Sequence, residues 1–164
     1  MKKIIYPIIG LAIFFLINQC SGYKPIFSTT DLHFKIADHE INGDKSLGNR
    51  LYSKLNFLSK PKNNNENIKN IFLIINIEKT KKPTSKDNAG KILEYKITLN
   101  IDLEAKDFPS DESILKQNFN SSLNYKIQST YSDTLTLEGK ATDDLINKIS
   151  EEILFSLTKN IANK

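Results

Sequence analysis

In residues 92–106, ILEYKITLNIDLEAK, apolar and polar side chains alternate strictly from Leu93 onward. Successive side chains of a β-strand point to opposite faces, so this pattern is typical of a strand with one face on the core and the other in water. The predicted core face carries Leu93, Tyr95, Ile97, Leu99, Ile101 and Leu103. The predicted wet face carries Glu94, Lys96, Thr98, Asn100, Asp102 and Glu104.

Two segments flanking this strand have the period of a helix instead. Asp44 or Ser46 is the expected N-cap of the first helix, because a short polar side chain can accept hydrogen bonds from its free N–H groups. The apolar stripe of that helix is Leu47, Leu51, Leu55 and Leu58. In the second, C-terminal helix the stripe recurs every four residues, at Ala141, Leu145, Ile149, Ile153, Leu157 and Ile161.

Three further segments have strand character. Leu32, Phe34 and Ile36 alternate with polar residues and predict a first strand that ends near Asp38. Residues 71–77, IFLIINI, form a continuous apolar run that indicates a buried strand. A last, less buried strand is predicted from the spacing of Leu115, Phe119, Leu123 and Tyr125.

The order of these elements is strand, helix, three strands, helix. Residues 56–67 and 79–90 are rich in Pro, Asn, Lys or Gly and are predicted to be connections, the second of them a long hairpin loop. Such an order favours an α+β two-layer sandwich with about four mostly antiparallel strands and both helices on one face of the sheet.

The N-terminus predicts export. Lys2 and Lys3 precede an uncharged apolar run at residues 4–17, which is typical of a signal peptide and short for a spanning helix. Cys20, the single cysteine, follows and resembles the acylated first residue of a bacterial lipoprotein. We therefore expect a signal peptide at 1–19, a lipidated tail at 20–30 and one α+β domain at 31–164. Because Gln19 stands where that pattern has a small residue, an uncleaved signal anchor ending at Cys20 is the alternative.

Composition and motifs disfavour several classes of protein. The chain has 23 basic and 19 acidic side chains, a net charge of +4, and no tryptophan, and lysines are interspersed with acids, so we expect no nucleic-acid partner. One cysteine cannot form an internal disulfide or a cysteine-based metal site. His33 and His39 are the two histidines, and no metalloprotease, nucleophile-elbow or phosphate-loop motif is present, so we expect no enzyme, cofactor or metal site.

The segment Gly22-Tyr23-Lys24-Pro25-Ile26-Phe27 adds a family resemblance. After the lipidated cysteine, members of the LPS-assembly lipoprotein family LptE carry glycine, an aromatic residue, any residue, proline, an aliphatic and an aromatic residue. The match requires one inserted residue, Ser21. The helix with Arg50, the long alternating strand and the tyrosine-bearing segment before the last helix are also similar to the family.

This resemblance implies an outer-membrane lipoprotein that plugs the lipopolysaccharide translocon barrel and supports its assembly. Its partners would be a large outer-membrane β-barrel of the LptD type, lipopolysaccharide, and the inner leaflet of the outer membrane, reached through acyl chains on Cys20. The alternative is a periplasmic lipoprotein subunit of another envelope lipid-transport system.

The segment 79–90 contains the densest basic stretch of the chain after the signal peptide. Lys79, Lys81, Lys82 and Lys86 are therefore candidate contacts for lipopolysaccharide phosphates, because an ammonium group binds phosphate as a compact point charge. An ordinary solvated hairpin is the alternative. Tyr125 and Tyr131 are expected to cap the core rather than to bind a ligand.

Overall fold

The computed structural model describes residues 34–59, 68–108 and 110–162. The predicted signal peptide, Cys20, the predicted tail at 20–30, Leu32 of the predicted first strand and His33 lie outside these residues. The described elements are β1 (Phe34–Gly43), α1 (Lys45–Leu58), β2 (Lys69–Lys86), β3 (Ile92–Asp107), β4 (Ser113–Lys126) and α2 (Tyr131–Ala162). Their order is the predicted one.

The four strands form one sheet in the order β1-β2-β3-β4. β1 pairs with β2 in parallel, whereas β2 with β3 and β3 with β4 pair antiparallel. Both helices lie on one face, since Gly48 of α1 packs against Ile41 and Ile77 while Glu138 of α2 bonds to Lys79 on the same face of β2. The predicted α+β two-layer sandwich is confirmed.

The core lies between this face and the helices. The alternation predicted for β3 is confirmed at its centre, where Ile97, Leu99 and Ile101 have no exposed surface. β2 supplies the matching row of fully or almost fully buried side chains, Ile71, Leu73, Ile75 and Ile77. The prediction for Leu93 is wrong, because 44% of its surface is exposed near the hairpin turn, where the strands run past the buried core.

β2 is longer than predicted. Residues 79–86 were expected in a loop, but they continue the strand and pair with β3 as far as Lys86 opposite Ile92. Pro83 is tolerated because β1 ends opposite Ile77, so that β2 is an edge strand beyond that point. The turn itself is short, and the Asp87 carboxylate closes it by accepting the backbone N–H groups of Ala89 and Lys91.

β1 is also longer than predicted, since it ends at Gly43 and not near Asp38. An irregularity between Ile36 and Asp38 shifts the pairing with β2 and breaks the simple alternation that the sequence pattern relied on. Asp44 then caps α1, as one of the two predicted N-caps, with its side chain accepting the N–H of Leu47 at 3.1 Å.

The helical stripes are confirmed except at their last members, Leu58 and Ile161, which are half-buried. Leu47, Leu51 and Leu55 of α1 are buried, and so are Ala141, Leu145, Ile149, Ile153 and Leu157 of α2. Tyr125 caps the core as expected, with 6% of its surface exposed. Tyr131 does not, because it is 78% exposed in the first turn of α2.

Candidate functional site

Two of the predicted phosphate-binding lysines meet a carboxylate of α2. Lys79 donates to Glu138 Oε1 at 3.0 Å and Lys81 donates to Glu138 Oε2 at 2.6 Å. The Tyr125 hydroxyl donates to the same Oε2 at 2.8 Å. Alternate residues of a strand share one face, so Lys79 and Lys81 follow Ile77 toward the end of the core and reach the helix layer.

Aromatic rings complete this lysine–glutamate–tyrosine cluster. The Lys81 ammonium lies 4.4 Å from the ring centroid of Tyr95 and 5.6 Å from that of Tyr125. The two tyrosine rings are stacked with centroids 6.0 Å apart. Cation–π contacts of this kind add to the ion pair, and together they fix the N-terminal half of α2 over β2, β3 and β4.

The cluster shifts the pKa of its members. Burial of the Glu138 carboxyl group raises its pKa, but the hydrogen bonds from Lys81, Lys79 and Tyr125 outweigh burial and lower the pKa to about 2. Burial lowers the pKa of Lys81, yet its bonds to Glu138 and Tyr125 raise that pKa above the ordinary value. Burial raises the pKa of Tyr125. All three groups therefore keep their charge states at neutral pH.

Replacing Glu138 tests whether the cluster is a structural clamp. Glu138→Gln should lower the free energy of unfolding at neutral pH by about 1–2 kcal/mol, because three donors lose a charged acceptor. The Glu138 pKa is lowered on folding, so the carboxylate stabilises the fold above its ordinary pKa of 4.5 and loses this effect as pH falls toward about 2.

Denaturant unfolding at a series of pH values provides the measurement. The difference between wild type and Glu138→Gln should narrow as pH falls from 4.5 toward 2. Glu151→Gln, an exposed position on the same helix, is the matched control and should have little effect. A Glu138→Gln difference that stays constant across this interval would contradict the clamp.

The other two predicted lysines lie elsewhere. Lys82 is on the opposite face of β2 from Lys79 and Lys81, directly across from Lys96 of β3, and Lys86 ends the strand. Both are exposed. The structure thus divides the predicted set into two lysines on the helix face that share the Glu138 carboxylate and two lysines near the hairpin turn that have no carboxylate partner among the described residues.

The face of the sheet opposite the helices is polar along most of its length, as predicted for β3. Three rows of side chains cross β2, β3 and β4, namely Asn76–Asp102–Asn118, Glu78–Asn100–Asn120 and Thr80–Thr98–Ser122. The Asn118 amide donates to Asn100 Oδ1 at 2.9 Å and to Asp102 Oδ1 at 2.8 Å. We call this surface the open face.

A shallow depression of about 500 Å³ crosses all four strands on the open face. Its lining includes Asn42, Asn76, Asp102, Glu104 and Lys116, with Ile74 as an apolar contribution. Glu104 and Lys116 lie 3.6 Å apart and form an ion pair. Most of the residues around the depression carry amide or charged side chains, which can hydrogen-bond to a neighbour directly or through water.

Sequence reasoning missed Glu138 and Lys96. In the sequence Glu138 is one of several acids on the polar side of a helix, and Lys96 is one of many lysines.

His39, the one histidine among the described residues, stacks on Tyr52 of α1 with ring centroids 3.5 Å apart. In the part of the chain that the structure describes, no cluster of His, Cys, Asp or Glu could hold a metal ion. No helix there is long and apolar enough to cross a membrane.

No family model and no curated protein matches the sequence. Solved structures match the fold. A protein described as a lipoprotein from Caulobacter crescentus CB15 has a TM-score of 0.56 and 11% identity, over 80% of this chain and 91% of that one.

Two further structures are similar. Rare lipoprotein B from Shewanella oneidensis has a TM-score of 0.53 and 14% identity, over 77% of this chain and 97% of that one. An uncharacterised lipoprotein B from Nitrosomonas europaea has a TM-score of 0.52 and 14% identity, over 82% of this chain and 88% of that one. At these identities the likeness establishes a shared fold, which is that of bacterial lipoproteins.

Proposed function

We propose that the chain is a lipid-anchored envelope lipoprotein that plugs a large outer-membrane barrel of the LptD type, supports its assembly and helps it insert lipopolysaccharide. Cys20 would carry the acyl chains and hold the domain on the periplasmic side of the outer membrane. Two independent lines support this. The N-terminal segment resembles the LptE family, and the folded domain shares its architecture with bacterial lipoproteins.

The open face is the observation that carries the docking role. A two-layer sandwich leaves one side of its sheet uncovered, and an apolar side would have to be buried by another layer. Here the uncovered side is built mostly of Asn, Thr, Ser and charged residues, and its asparagines bond across the strands to Asn100, Asp102 and Glu94. The lumen of a large outer-membrane barrel is polar, so such a face can enter it without losing its hydrogen bonds to water or protein.

A binding role also fits the chemistry of the described residues better than catalysis does. Lys79 and Lys81 share the single Glu138 carboxylate, and this strand-to-helix ion pairing suits a clamp on α2. We therefore propose a protein that acts by docking and not by turnover. Of the four lysines predicted to contact phosphate, Lys82 and Lys86 are the two that have no carboxylate partner among the described residues, so we propose these two as the contacts to lipopolysaccharide.

Affinity purification from the native envelope tests the docking role. The tagged chain should co-purify with one large barrel protein. That protein should remain in the outer-membrane fraction under conditions that extract inner-membrane proteins. Thr98→Arg and Asn100→Arg, which place bulky charge at the centre of the open face, should reduce barrel recovery, whereas Glu151→Arg on the outer side of α2 should not. Recovery with inner-membrane transporter components would instead support the alternative, a subunit of another envelope lipid-transport system.

Acylation is tested separately at Cys20. Metabolic labelling with an alkyne fatty acid should mark the protein, and Cys20→Ala should abolish the label, because the chain has one cysteine. Equal labelling of both proteins would exclude this thiol as the attachment site. An unlabelled wild type that stays in the membrane fraction would favour the uncleaved signal anchor.

A further inference from the structure

The end of the sheet at the β2–β3 turn has a different surface chemistry from the open face. Exposed lysines lie on and beside the two strands, and exposed apolar side chains lie on the helix side. We call this end the tip. It is defined by Lys82, Lys86, Lys91, Lys96 and Lys126 together with Leu93, Tyr131 and Leu135.

Among the described residues, the tip lysines have no ion-pair partner, although Glu94 of β3 stands directly across from Lys126 of β4. Elsewhere in the described residues, lysines such as Lys69, Lys79 and Lys106 pair with carboxylates. At the tip, Lys82 stands directly opposite Lys96, an arrangement that is unfavourable in a sheet because like charges repel across neighbouring strands. None of the tip lysines makes an ion pair through its ammonium group among the described residues.

The acids near the tip are occupied with neutral donors or lie on the helix. Asp87 accepts the backbone N–H groups of Ala89 and Lys91. Glu94 Oε1 accepts hydrogen bonds from the Thr84 hydroxyl at 2.9 Å and from the Asn124 amide at 2.8 Å. Asp133 lies in the first turn of α2. Five lysines and three acids thus lie at this end of the molecule, and while Lys126 has Glu94 across from it, Lys82 and Lys96 have only each other.

The apolar members share the helix face of the tip. Leu93 is two residues before Tyr95, so it lies on the same face of β3 and nearer the turn, and it is 44% exposed. Tyr131 and Leu135 precede Glu138 by about two turns and about one turn of α2, and they are 78% and 46% exposed. The lysine–glutamate–tyrosine cluster holds that part of α2 over β2 and β4, so these side chains come to the same end of the domain as Leu93.

We propose that the tip docks on an anionic phospholipid bilayer, with Lys82 and Lys96 meeting headgroup phosphates while Tyr131, Leu135 and Leu93 enter the interfacial region. Charge complementarity supports this occupant, because an anionic surface relieves the repulsion between two facing lysines. Tyrosine and leucine beside lysines are the side chains that interfacial segments use, with the aromatic body in the headgroup layer. Lys82 and Lys96 form the row of the open face that follows Thr80 and Thr98 toward the turn, so bilayer docking of the tip and barrel docking of the open face are tested with different variants.

The sequence offers a clean reporter, because the chain contains no tryptophan. Tyr131→Trp in the full chain should show a blue shift of its fluorescence on addition of vesicles of phosphatidylcholine with phosphatidylglycerol. Vesicles of phosphatidylcholine by itself should give a much smaller shift. Added salt should reverse the response, since exposed ionic contacts are screened beyond about 8 Å at physiological ionic strength. Phe155→Trp, about 36 Å further along α2, is the control reporter.

Charge variants assign the response to the tip. In the Tyr131→Trp chain, we expect the double variant Lys82→Glu with Lys96→Glu to bind the vesicles more weakly. The lipid concentration that gives half of the maximal fluorescence shift should rise by at least about tenfold. The matched reversal Lys35→Glu with Lys148→Glu, at exposed positions away from the tip, should change it less than about twofold. If the glutamate pair unfolds the domain by circular dichroism, Lys82→Gln with Lys96→Gln provides the same test.

Several outcomes would overturn the proposal. One is a fluorescence shift of the same size with phosphatidylcholine vesicles as with vesicles that contain phosphatidylglycerol. Another is a shift that does not change when Lys82 and Lys96 are replaced by glutamate. A third is an effect of that replacement on the Phe155→Trp reporter as large as its effect on the Tyr131→Trp reporter. A shift with lipopolysaccharide but none with phosphatidylglycerol vesicles would assign the tip to lipopolysaccharide and not to a bilayer. Loss of tip binding with intact barrel recovery would leave the docking role of the open face standing.

Discussion

Ile101→Asp is expected to lower the free energy of unfolding by at least about 4 kcal/mol, because it places an unpaired carboxylate in the centre of the core. Ile101 has no exposed surface, and its partners across the sheet are Ile77 and Phe119. No cation or hydrogen-bond donor is offered by either partner side chain. Denaturant unfolding followed by circular dichroism provides the measurement.

The matched substitution is Thr98→Asp on the open face of the same strand. Thr98 faces Thr80 and Ser122 across the sheet, and a carboxylate there stays in contact with water. We expect a change within about 1 kcal/mol. Comparable losses from Ile101→Asp and Thr98→Asp would mean that the side of the sheet covered by the helices has been assigned incorrectly, since a shift of one residue exchanges the two faces of a strand.

Gly43→Ala is expected to cost about 3 kcal/mol or more, for two reasons that act together. Gly43 has φ of +82°, a conformation that side chains with a Cβ adopt at a cost of about 1–2 kcal/mol. A Cβ at this position would also sit against the carbonyl oxygen of Ile77. That oxygen accepts the N–H of Asp44 at 2.9 Å, so the clash disturbs the start of α1 as well.

Gly90→Ala separates the two contributions. Gly90 has φ of +83°, almost the value at Gly43, but a Cβ there would meet no atom within 4 Å. Gly90→Ala should therefore lose only the conformational contribution to stability, about 1–2 kcal/mol. Thermal or denaturant unfolding of both variants gives the comparison. Equal losses would show that the approach of Gly43 to Ile77 does not matter for stability.

The secondary structure was largely predictable because local patterns and tertiary packing agree. The alternation in β3 identified its buried centre, and the four-residue repeat in α2 identified the stripe that covers it. Asp44 was predicted as a cap because its side chain acts on the N–H groups that follow directly in the chain. These features depend on residues that are near one another in sequence.

The bounds of β1 and β2 were harder to predict, because pairing between distant segments overrides local composition. Residues 79–86 contain lysines and a proline, which favour a loop locally, but β3 offers a strand partner up to Ile92. In β1 the irregularity between Ile36 and Asp38 interrupts the alternation, and pairing with β2 continues the strand beyond it.

The candidate sites show the same division. Sequence reasoning identified the basic stretch and the polar face of β3, because both are visible as composition and period. It could not pair Lys79 and Lys81 with Glu138, which is 57 residues beyond Lys81 in the chain. Nor could it place Lys82 opposite Lys96, since that depends on the register of β2 on β3.

By itself, the sequence determined which segments form strands and helices and which of their faces are apolar, since side-chain chemistry and backbone period are local properties. The tertiary structure decided which lysines pair with a carboxylate and which have no such partner among the described residues. Strand register and the position of α2 bring Lys79 and Lys81 to Glu138 while they leave Lys82 and Lys96 facing each other. Ion pairing depends on distances of a few ångströms, and distances between remote segments are set only when the chain folds.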